Sequence, residues 1–197
     1  LGEAGVPGTD AAHFNRPTDV AVRADGSFYV SDGYVNSRVV RFDASGRFRL
    51  EWGMPGTAVG EFDVPPSLDV DATGGVYVAD RGNARVQIFD ENGRFLISWH
   101  DELQIGRPWA VRVGSDGYVY VVDGGDQNDW LPDRARILKL TAVGQMVDSF
   151  GAYGQQAGHF IWPHALTIDA QGALYVAEVG SGQRIQKFIP AASSSPS

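Results

Sequence analysis

The chain predicts an all-β fold, a β-propeller of four-stranded blades with four blades present, and three features carry that prediction. The first is a repeat. A proline opening an apolar run recurs as Pro17, Pro65, Pro108 and Pro163; a tyrosine follows twelve residues later, and an acid three after that. The pairs are Tyr29 with Asp32, Tyr77 with Asp80, Tyr120 with Asp123, and Tyr175 with Glu178. Spacing held this closely marks an internal repeat, which must be settled before any single element is read. The second feature is period-two alternation of apolar and polar residues over short runs, the pattern of half-buried antiparallel strands. The third is punctuation. The 25 glycines and 10 prolines fall between the runs rather than in one cluster, as many short strands require.

Each copy supplies its strands in a fixed order. The first follows the proline, at 16–22, 64–70, 107–113 and 162–168. The second ends on the acid. The third opens on an arginine, at Arg38, Arg85, Arg136 and Arg184. Three copies then turn at Gly46, Gly93 or Gly144 into a fourth run that closes near Trp52, Trp99 or Phe150. Four strands every roughly 45 residues describe a propeller blade. The reading is one propeller over 1–190, with blades at about 15–53, 63–100, 107–151 and 161–190, and a small polar tail, 191–197, expected to be disordered. Leu1-Gly2 and its loop to His13-Phe14 parallel Trp52-Gly53 and the loop to Glu61-Phe62, so residue 1 reads as the close of an outer strand. The fourth copy runs out after its third strand. An open array of blades exposes apolar faces that soluble proteins cover. The expectation is therefore a longer ring, six blades in all, or closure by self-association.

Composition excludes several functions. A formal charge of -8 opposes binding to nucleic acid or to an anionic membrane surface. No apolar run approaches the ~18 residues of a membrane-spanning helix. There is no cysteine, hence neither a disulfide framework nor thiolate chemistry. No phosphate-binding glycine loop, nucleophile elbow or paired-histidine zinc motif appears.

Two motifs carry a family resemblance. Tyrosine, valine, a small residue and an acid, followed by Asn36-Ser37-Arg38-Val39 or Asn83-Ala84-Arg85-Val86, resemble the NHL repeat. They do not resemble the Trp-Asp repeat, whose signatures are missing. Residues 14–22 with 29–38, and 78–87, are further similar to the peptidyl-α-hydroxyglycine α-amidating lyases, Asp32-Gly33-Tyr34-Val35-Asn36-Ser37-Arg38 being the most specific stretch. That resemblance implies a six-bladed propeller in a secreted or periplasmic setting. It implies cleavage of the C–N bond of a hydroxyglycine to a peptide amide and glyoxylate. It also implies catalytic zinc on three histidines and a structural calcium.

Propeller geometry nominates the site. The first strand of each blade lines the central channel, so the residue after each repeat proline rings its mouth: Thr18, Pro66, Trp109 and His164. By the resemblance His164 matches the last zinc histidine, Pro66 stands where the middle one belongs, and the first falls in a blade outside this sequence. A catalytic zinc wants three protein ligands and an open position, so zinc binding is expected to be weak and activity impaired. Tyr34 and Arg85 match the family's catalytic tyrosine and arginine: a phenol as general base, a guanidinium for the substrate carboxylate. Arg85 is also one of four arginines in register, which are expected to pair with Asp32, Asp80, Asp123 and Glu178. Trp109 and Trp162 form an apolar wall at the mouth or plug the channel. His13, His100 and His159 read as solvated. Calcium is doubtful, since Ala165 replaces the family's acid; Asp123, Asp126, Asp129 and Asp133 of the longer insert are the other oxygen donors. The alternatives to a lyase-like enzyme are a non-catalytic propeller holding a peptide, protein or small molecule at the mouth, and an assembly scaffold.

Overall fold

The computed structural model describes residues 1–100, 104–127 and 134–190, so the expected disordered tail, Asp129 and Asp133 lie outside the described residues. The first sheet runs β1 (Asp19–Val22), β2 (Phe28–Asp32), β3 (Arg38–Phe42) and β4 (Phe48–Trp52). The second runs β5 (Ser67–Val70), β6 (Val76–Asp80), β7 (Arg85–Phe89) and β8 (Phe95–His100). The third is β9 (Pro108–Val113), β10 (Val119–Asp123), β11 (Arg136–Leu140) and β12 (Met146–Phe150); the fourth is β13 (Pro163–Ile168), β14 (Leu174–Glu178) and β15 (Ile185–Phe188). Each sheet is an antiparallel meander, and the described residues contain no helix. The inner strands adjoin in the order β1, β5, β9, β13. This is a four-blade β-propeller.

Tight turns carry the meander. The Asp43 carboxylate accepts from Ser45 N, Ser45 Oγ and Arg47 N, while Gly46 takes the left-handed φ of 80° that closes the β3–β4 turn. Asp71, Asp90 and Asp169 accept backbone N–H bonds in the same way in other blades.

Blades pack face to face through three apolar clusters. Tyr29 and Val39 of the first blade meet Phe62, Leu68 and Phe89 of the second. Val86 and Trp99 meet Val111 and Leu138. Ile137 and Tyr120 meet Leu166 and Val176.

The repeated arginine and acid form the tie expected of them. Nε of Arg38, Arg85, Arg136 and Arg184 lies 3.0, 2.6, 2.9 and 2.6 Å from the carboxylate of Asp32, Asp80, Asp123 and Glu178. The same carboxylates accept the N–H of Asn15, Asp63, Arg107 and Ile161, which fastens each incoming loop to its blade. On the channel axis, Arg112 donates to Asp19 (2.9 Å) and Ser67 (2.9 Å), joining the inner strands of three blades.

Candidate functional site at the channel mouth

The mouth is assembled from β2–β3-type loops and from the starts of inner strands. Gly33 admits the first of these loops: a Cβ there would lie 1.8 Å from the carbonyl oxygen of Pro65. Thr18, one of the ring residues, spends its hydroxyl on structure, donating to that same oxygen at 2.8 Å. Pro66, buried, immediately precedes β5, the second inner strand.

Trp109 and His164 are different. Pairing of β9 with β10 passes from Pro108 to Ala110, and pairing of β13 with β14 passes from Pro163 to Ala165. Both residues are the extra member of a β-bulge, a device that re-aims a side chain at a rim. Their rings meet at a centroid distance of 4.8 Å. His164 Nε2 lies 3.3 Å from Tyr34 Oη. On the other side Arg81 lays its guanidinium 4.2 Å over the Trp109 ring, a cation–π contact. The Trp109 indole donates to Gly125 O at 2.9 Å, which fixes the platform. Tyr34, Arg81, Trp109 and His164 thus come one from each blade and form a continuous set.

Electrostatics favours a neutral imidazole. Burial first, and then the charge of Arg81, hold His164 below the usual histidine range. Arg81 is itself half-buried; it has no ion pair among the described residues, and its buried Nε has no hydrogen-bond partner. An unpaired guanidinium at a channel mouth is a ready receptor for a carboxylate.

Arg85 lies elsewhere. Its guanidinium is taken up by Asp80 (2.6 Å) and by the carbonyls of Thr57, Ala58 and Glu61, each at 2.8 Å. Sequence reasoning passed over Arg81. The available signal was a departure from the repeat: after the acid come Gly33, Arg81, Gly124 and Val179, so the arginine is peculiar to one blade. Trp162 lies against its own blade, its ring so close over Gly180 that a Cβ there would come within 2.1 Å.

The residues present do not fit a three-histidine zinc site. The ring offers one imidazole beside Thr18, Pro66 and Trp109, and no group of three metal-ligating side chains exists among the described residues. His13 is held by Asp10 at 2.9 Å, away from the ring positions. Oxygen donors for calcium are likewise engaged: Asp123 with Arg136, and Asp126 with Arg107 at 3.0 Å.

The fold defines the class, a β-propeller, and the NHL repeat model matches two stretches of it, residues 14–42 and 62–89. It is similar to peptidylglycine alpha-amidating monooxygenase of Rattus norvegicus, 33% identical over 90% of this chain and 18% of that protein. It is similar to a probable peptidyl-alpha-hydroxyglycine alpha-amidating lyase of Caenorhabditis elegans, 34% identical over 91% of this chain and 51% of that one. NHL repeat-containing protein 3 of Homo sapiens is 33% identical over 100% of this chain and 57% of its own length. The chain therefore spans less than two thirds of each of these relatives. Names among them support a lyase-like NHL propeller.

Proposed function

We propose that the channel mouth cleaves the C–N bond of a peptidyl-α-hydroxyglycine, giving a peptide amide and glyoxylate, at a rate reduced by the loss of a metal ligand at Pro66. The observation that carries this reading is the approach of Tyr34 to His164, with Arg81 beside them. Arg81 holds the substrate carboxylate, and Trp109 keeps its plane in place. Tyr34 takes the proton of the α-hydroxyl, with neutral His164 Nε2 able to accept the phenol's own proton. The carbonyl of glyoxylate forms as the C–N bond breaks, and the departing amide nitrogen takes up the proton that Tyr34 passed to His164, leaving both side chains as they began. The zinc that the resemblance implies takes no part in these steps, because the ring lacks its ligand set.

Glyoxylate release from a peptide ending in α-hydroxyglycine tests the reading. Tyr34→Phe should lower the rate by about 100-fold or more, the usual scale for losing a general base. Arg81→Gln should raise KM for the acid substrate but leave a C-terminally amidated analogue unaffected. Absence of product from the unaltered protein, with and without added zinc, rules the lyase reading out and leaves peptide binding at the mouth.

A further inference from the structure

Blades meet at the channel mouth in two different ways. The residue after the repeat acid is Gly33 in the first blade and Gly124 in the third, and each presses on the next blade's repeat proline. A Cβ there would lie 1.8 Å from the carbonyl oxygen of Pro65 or 2.5 Å from that of Pro163. In the second blade the same position holds Arg81, whose side chain excludes so close an approach. A guanidinium makes the link instead. Arg107, the residue before the third blade's repeat proline, reaches back across the junction. Its Nη1 donates to the carbonyl oxygens of Gly82 at 2.6 Å and Arg81 at 3.4 Å. The Gly82 N–H donates to Asp63 O at 2.8 Å, so this peptide segment is held from both sides. Arg107 Nε lies 3.0 Å from Asp126, the neighbour of the Gly125 whose carbonyl receives the Trp109 indole.

We infer that Arg107 is a positioning residue: it holds the Arg81 backbone so that the Arg81 guanidinium stays over Trp109, ready for the carboxylate of a peptide that ends in glycine or hydroxyglycine. This rests on the reading of Arg81 as the carboxylate receptor. One fork grips both supports of the receptor, the loop that carries Arg81 and the loop that fixes the Trp109 ring. Asp126 balances the second positive charge, so the two arginines share the junction without adding a free cation beside the first. An ordered receptor loses less entropy on binding than a mobile one.

Two measurements that need no turnover test this. One is the NMR titration of His164, which senses the Arg81 charge. The other is calorimetry with an N-acyl dipeptide ending in glycine, which has the carboxylate but no α-hydroxyl to react, and with its C-terminal amide. Arg107→Met should raise the Kd of the acid about tenfold, the scale of one hydrogen bond to a charged group, and leave that of the amide unchanged. It should also move the His164 titration to higher pH, towards that of Arg81→Gln. The Arg107 side chain is 33% exposed, so the far-UV circular dichroism spectrum should not change; should that variant fail to fold, Arg107→Lys, which loses the fork, serves with the same expected shifts. With Arg81→Gln already in place, replacing Arg107 should move neither reading. An unmoved titration with an unchanged Kd, or shifts of the same size when Arg81 is already replaced, would overturn the inference. A parent protein that does not prefer the acid to the amide speaks against Arg81 as receptor, and the titration still decides whether Arg107 holds it.

Discussion

At the scale of single residues, His164 holds the mouth together. Its imidazole touches Tyr34 on one side and Trp109 on the other, and the nearby charge of Arg81 disfavours protonation. The folded pKa is lowered, so the unfolded chain binds the proton more readily. The resulting stability is present above the ordinary histidine pKa, about 6.5, and is lost as the pH falls below it. Arg81→Gln removes one of the two causes, and His164 should then titrate at higher pH in an NMR experiment. A titration that does not move would place Arg81 too far from the ring to act on it.

At the scale of the element, the repeated arginine ties the third strand to the second strand's acid and to the incoming loop. Asp80 is fully buried, and Arg85 is the cation that faces it. Arg85→Ala should therefore destabilise the protein by about 3–5 kcal/mol in urea unfolding, the scale of a buried charge left without its partner. The blades were legible in the sequence because these ties are local: Arg38 stands directly opposite Asp32 in the β2–β3 register, and Arg85 opposite Asp80. The site was only partly legible. Spacing nominated Trp109 and His164, yet the bulge at each of them leaves no mark in a repeat whose length does not change. The register of Arg85 drew attention to a structural residue. Arg81, which breaks the pattern, was the better signal.

At the scale of the whole molecule, blades are joined on the axis as well as through their faces. Arg112 donates to Asp19 of the first blade and Ser67 of the second from its place in the third. Replacing it by methionine should cost about 1.5–3 kcal/mol, the range for hydrogen bonds to a charged group. In a double-mutant cycle with Asp19→Asn the combined loss should be smaller than the sum, since both changes remove one interaction. Strict additivity would show that the inner strands are held by their apolar contacts alone.

The sequence by itself determined the blades. Periodic spacing brings each acid, arginine and turn glycine to neighbouring strands, where short-range pairing suffices to place them. Only the tertiary structure decided which arginine reaches the mouth and which tyrosine meets which histidine. Tyr34 and His164 are 130 residues apart in the chain. Their approach depends on how the blades turn about the axis, a sum over inter-blade packing that no local pattern encodes.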